Sequence, residues 1–72
     1  MNVYVVKDNT SVAMTGGGYA VTDVEVHVNQ KQSKEKQTEV LIHEILEVYL
    51  KALDHSKIDE LTLLLVDGLR QL

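Results

Sequence analysis

Between residues 24 and 29, valine alternates strictly with polar side chains: Val24, Val26 and Val28 against Glu25, His27 and Asn29. Successive side chains of an extended chain point to opposite faces, so this stretch predicts a strand with one face buried and the other polar. Beyond a polar loop (Asn29 to Lys36, with Ser33 as a helix N-cap) the period changes. From about Glu35 to Leu53, apolar residues recur at helical spacing: Leu41, Ile42, Ile45, Leu46, Val48, Tyr49, Ala52 and Leu53. Asp54-His55-Ser56 interrupts the pattern, and Ser56-x-x-Asp59 has the form of a capping box that opens a second helix. That helix carries Ile58, Leu61, Leu65, Leu69 and Leu72 along one stripe.

Upstream, Val3 to Val6 and Ser11 to Met14 read as short strands, with hairpin-turn chemistry at Lys7-Asp8-Asn9-Thr10. Gly16-Gly17-Gly18 breaks regular structure, and no Lys-Ser/Thr follows at the spacing of a phosphate loop. Tyr19 and Val21 sit on the opposite parity to the valines, which places a turn or bulge at Thr22-Asp23. The expected fold is α+β, one domain over residues 1–72. A small antiparallel sheet (the N-terminal hairpin plus one strand) packs against a C-terminal two-helix hairpin.

Size limits what can hold such a fold together. With 72 residues and no cysteine, disulfides and thiolate metal sites are excluded. The options left are a His/carboxylate metal site, self-association or a strongly apolar core. Only three aromatics are present (Tyr4, Tyr19 and Tyr49), so the core is expected to be Val, Leu and Ile. The formal charge is −4, with Arg70 the only arginine and no basic cluster. This argues against nucleic acid as a partner. No run approaches the length of a membrane span, and Met1-Asn2-Val3-Tyr4 lacks the basic flank and apolar stretch of a signal peptide. A cytoplasmic protein is expected.

One segment is chemically loaded: His43-Glu44-Ile45-Leu46-Glu47. At 100° per residue, His43 and Glu47 lie one turn apart on one side of their helix, and Glu44 lies further round the same polar flank. An i, i+4 pair on a rigid helix supplies two converging metal ligands, and a neighbouring carboxylate can take a proton from metal-bound water. These are the mechanics of the His-Glu-x-x-His zinc motif, here with Glu in place of the second His. A third ligand is required. His55 can approach only if the first helix stops early. Asp67 is expected roughly level with His43 in a helical hairpin but pointing to solvent, and His27 lies on the polar face of its strand. The simpler alternative is an i, i+4 pair on a solvated face. Val40 and Leu50 flank this polar side, which suggests that something covers or binds it.

A valine strand, a polar loop and then Lys36-Gln37-Thr38-Glu39-Val40-Leu41-Ile42-His43-Glu44-Ile45 resembles the strand–loop–active-helix core of zincin peptidases. The closer resemblance is to very short zincin-like proteins of bacteriophages and prophages. It covers Tyr19 to Leu72 and rests on Tyr19, Thr22-Asp23, the strand through Val28, Thr38, Leu41 to Glu47, His55, Ile58, Leu61 and Gly68-Leu69-Arg70-Gln71-Leu72. The resemblance implies a zinc site with His43 and Glu47 as ligands and Glu44 as general base, and metal-dependent peptide hydrolysis in the host cytoplasm. His55 is the candidate for the third ligand, and the valine strand is expected to align a peptide by edge pairing.

Two other functions fit the same residues. One is a non-catalytic interaction protein, such as a phage accessory factor or inhibitor, that binds a host or defence protein through its helical surface. Val40, Leu50 and His27 are the candidate contact residues for a peptide or protein partner. The other is a structural homodimer joined through the helical hairpin.

Overall fold

A computed structural model describes residues 2–9, 14–16 and 23–72. The elements are β1 (Asn2–Asp8), β2 (Met14–Gly16), β3 (Asp23–Asn29), α1 (Lys34–Tyr49) and α2 (His55–Arg70). The α+β class is as expected. The sheet is not antiparallel: β3 lies in the middle, in the order β1-β3-β2. β1 runs parallel to β3 along its whole length, from Asn2 opposite Asp23 to Asp8 opposite Asn29. Only the short β2 is antiparallel to β3, over Met14–Gly16.

Among the described residues, β1 and β2 each pair with β3 rather than with one another; the expected second hairpin strand, Ser11 to Met14, overlaps β2 only at Met14. The physical reason lies in burial. Val24, Val26 and Val28 are 3%, 0% and 1% exposed, while the β1 valines Val3 and Val5 are 45% and 43% exposed. The strand with the best-buried face takes the central position, where both of its edges are hydrogen-bonded. One edge of β3 is thereby taken along its whole length and the other over Glu25 to His27, which works against the expected alignment of a peptide by edge pairing. The segments Ser11 to Ala13 and Gly17 to Thr22, with the expectations attached to them, lie outside the described residues.

α1 covers the valine face of β3. Val40, Leu41, Ile45 and Val48 pack against Val24, Val26 and Val28. Ser33 caps α1 as expected, its hydroxyl accepting from the Lys36 N–H at 3.1 Å. Gln37, buried near this end, donates from Nε2 to the carbonyls of Asn29 and Gln32 at 3.1 and 3.2 Å. That side chain ties the end of β3 to the start of α1, and burying it is tolerable because both donors are used.

α1 ends at Tyr49, earlier than the periodicity predicts. Leu50 is its C-cap, with backbone φ −111° and ψ 57°, and donates its N–H to the Leu46 carbonyl at 2.7 Å. α2 begins with Asp54 as N-cap, so Ser56 lies inside the helix and the expected capping box does not form. α2 returns antiparallel along α1, and Arg70 at its far end meets Glu35 at the start of α1. Its buried residues are Ile58, Thr62 and Val66. The expected row through Leu65 and Leu69 instead stays about half exposed, at 46% and 50%.

Val26 has no exposure and sits at the centre of the valine row. Val26→Ala is expected to cost about 2 kcal/mol in urea unfolding, whereas Leu63→Ala, at a position 60% exposed, should stay within about 0.5 kcal/mol. Equal costs would show that the core is not where the valine face lies.

Candidate metal centre at the mouth of the helical hairpin

The early end of α1 places His55 at the first position of α2, so the chain turns back within residues 50–54. In the resulting register, Asp59 comes level with His43, and His55 comes level with Glu47. His43 Nδ1 lies 3.2 Å from Asp59 Oδ1 and its Nε2 lies 3.1 Å from Glu47 Oε1. His55 Nδ1 lies 3.0 Å from the same Glu47 oxygen, and its Nε2 lies 3.6 Å from the same Asp59 oxygen. The two rings meet edge to face with centroids 4.9 Å apart. Two imidazoles and two carboxylates thus alternate around a closed ring, with each carboxylate facing both histidines.

Three donors on one side of this ring, from His43, His55 and Asp59, all lie within 4.8 Å of one another, and so do donors from His43, Glu44 and Glu47. His43 belongs to both groups. The former is two histidines and a carboxylate, the composition of a three-ligand zinc site. If the nitrogens facing Asp59 are the metal-facing ones, the other nitrogen of each ring is left facing Glu47 Oε1. A carboxylate accepting from the distal N–H of a ligand histidine fixes its ring orientation and tautomer. The donor set therefore fits a zinc-class cation, with nitrogen and oxygen ligands of borderline hardness.

Of the residues singled out from sequence, His43, Glu47 and His55 are brought together. Asp67 is not level with His43: its carboxylate accepts from Gln71 at 3.1 Å, near the far end of α2. Asp59 takes the place expected for Asp67. It was readable as a candidate, because His55-x-x-x-Asp59 repeats the i, i+4 spacing of His43-x-x-x-Glu47, but the capping-box pattern assigned it elsewhere. Glu44 is part-buried beside the site. Burial is the main cause that pushes its carboxyl above the usual range, with Glu47 adding to it and His43 and His55 opposing.

Two shallow grooves flank the ring. One, of about 250 Å3, is lined by Val40, His43, Glu44 and Asp59 among others. The second, of about 310 Å3, includes Glu47, Leu50, His55 and Ile58. Val40 and Leu50 thus each line one of the two grooves. Val40 also packs on the valine row, and Leu50 caps α1.

His27 stands apart from this site. Its ring lies on the sheet face away from α1, held by Asp8 Oδ2 on Nδ1 at 2.8 Å and Glu25 Oε2 on Nε2 at 2.9 Å. With a carboxylate on each nitrogen, both nitrogens are best used as donors, which favours the imidazolium. The hydrogen bond to Asp8, then that to Glu25, raises the His27 pKa above 6.5, and partial desolvation opposes this. A raised folded-state pKa contributes stability that is fully present below the unfolded value of about 6.5 and is lost as pH rises through the folded value. The stability gap between wild type and His27→Gln is therefore expected to be widest below about pH 6.5 and to close as pH rises above it. A gap independent of pH would contradict this assignment.

Among the described residues, no helix is long and apolar enough to cross a membrane. Comparison with models of known protein families, with curated proteins and with solved structures finds no match to this chain.

Proposed function

We propose that this protein binds a zinc-class divalent cation between its two helices, through His43, His55 and Asp59, and that the site serves metal-dependent hydrolysis of a peptide-type bond. The observation that carries this reading is the convergence of donors from two separate i, i+4 pairs on two helices. A pair on one helix is commonplace; two pairs whose side chains meet at one point are much less so. The zincin-like pattern around His43-Glu44 points to the same chemistry.

A bound cation of this class supplies a Lewis acid that lowers the pKa of water towards neutrality. The protein's own groups do the rest. Glu47 accepts from both histidine rings and holds them in orientation. Glu44, part-buried beside the same groove as His43 and Asp59, is placed to accept a proton from water and return it to a leaving group. The flanking grooves offer apolar walls at Val40 and Leu50 on which an extended peptide can rest.

A second reading has its own observation. Glu47 Oε1 touches both histidines on the nitrogens that face away from Asp59, so the four side chains tie α1 to α2, as a purely structural site would. The cation would then clamp the hairpin of a non-catalytic interaction protein, whose helical surface binds a host or defence protein.

Metal analysis and zinc titration of untagged protein separate these readings. Stoichiometric zinc is expected in wild type, with none in His43→Ala and affinity at least about tenfold weaker in Asp59→Asn. Glu44→Gln is expected to keep the metal and lose hydrolysis of a peptide library. Full activity of Glu44→Gln in the protein's biological role, with loss of that role in Val40→Asp or Leu50→Asp, would favour the interaction protein. Absence of metal from wild type would remove both readings of the site.

A further inference from the structure

The face of α2 that its sequence marks as apolar is not the face the fold buries. Helical spacing puts Leu61, Leu65, Leu69 and Leu72 on one stripe with Ile58. The buried row is Ile58, Thr62 and Val66, turned from that stripe by about 60° at 100° per residue. The fold thus buries a threonine, satisfied by donating to the Ile58 carbonyl at 2.8 Å. Meanwhile Leu64, Leu65 and Leu69 are left 70%, 46% and 50% exposed.

Gly68 lies beside this stripe, within α2. A Cβ added there would meet nothing within 4 Å, and its backbone is not in the left-handed region that favours glycine. Glycine inside a helix costs about 1 kcal/mol relative to alanine. Neither packing among the described residues nor backbone geometry asks for it. A missing side chain on an apolar helix face permits the close approach of another surface.

We infer that α2 is a self-association surface on which two copies pair antiparallel, Leu65 of each seated over Gly68 of the other and Leu61 towards the C-terminal end of the partner's helix. A second copy is favoured over a different partner because the face is complementary to itself. A two-fold axis crossing the helix between residues 66 and 67 sets each copy's leucine opposite the other's gap, as an isologous contact requires. The seam positions Leu61, Leu65 and Gly68 carry no charged side chain. Only five hydrophobic side chains are buried among the described residues, and chains this short commonly draw stability from oligomerisation. His55 and Asp59 lie off this stripe, so the pairing does not depend on the metal reading.

Sedimentation velocity of the full chain, from about 5 µM to about 0.5 mM, is expected to show a monomer–dimer equilibrium. Gly68→Leu is the decisive variant, because it fits the single chain and improves helix propensity. It should leave the low-concentration melting temperature unchanged or higher, and weaken dimerisation at least about tenfold by filling the gap. A wild type that stays monomeric throughout would overturn the inference. So would a Gly68→Leu chain that associates as well as wild type or better, since that is the behaviour of a merely sticky leucine surface.

Discussion

α1 stops at Tyr49 although Lys51, Ala52 and Leu53 are all competent helix formers. Had it continued, His55 would have ridden out beyond the end of the helix, away from His43. What ends it is the packing that follows. Leu50 leaves helical geometry, and α2 folds back so that Ile58 reaches 2% exposure. Burying that one side chain contributes about 1.5–3 kcal/mol, more than the few tenths by which propensities differ over a last helical turn. The antiparallel register set there fixes which residues of the two helices meet: Glu47 with His55, His43 with Asp59, and Glu35 with Arg70.

The same register shows where the fold is thin. α1 is held on one side by the valine row and on the other by α2, but α2 commits only Ile58, Thr62 and Val66 to burial. The ion pairs along the hairpin involve largely exposed partners, such as His55 and Asp59 at 66% and 53%, and exposed pairs contribute little. A ligand that binds only the closed hairpin would stabilise it by about 2.7 kcal/mol at a hundredfold excess over its dissociation constant. In so small a chain, a cation bound at that ring would make metal binding and closure of the hairpin one equilibrium. Self-pairing along the leucine face would act on the same weak point from the outer side of α2.

Much of this was legible from residue order, and the failures share a cause. The strand at Val24–Val28, the cap at Ser33 and the helical covering residues Leu41, Ile45 and Val48 follow from periodicity, which is local. The order of strands was not legible, because turn chemistry at Lys7–Thr10 speaks only to neighbours, whereas β3's central place comes from how much of its valine face α1 can cover. The end of α1 carries no glycine or proline to announce it, and tertiary packing decided it. Asp59 was hidden by a second pattern that suited it equally well, the capping box with Ser56. Which face of α2 is buried could not be read from the leucines, because the best apolar stripe need not be the one turned towards the neighbouring helix.

The central claim is that the hairpin presents His43 through Nδ1 and His55 through Nε2 to one cation, with Glu47 accepting from the other nitrogen of each ring. Long-range proton–nitrogen correlation spectra of the imidazoles, recorded with and without one equivalent of zinc, test this directly. The account predicts that zinc moves the His43 Nδ1 and His55 Nε2 resonances together to metal-bound values, while His43 Nε2 and His55 Nδ1 remain protonated and His27 stays unchanged. Spectra in which the two histidines respond separately, or not at all, would contradict it.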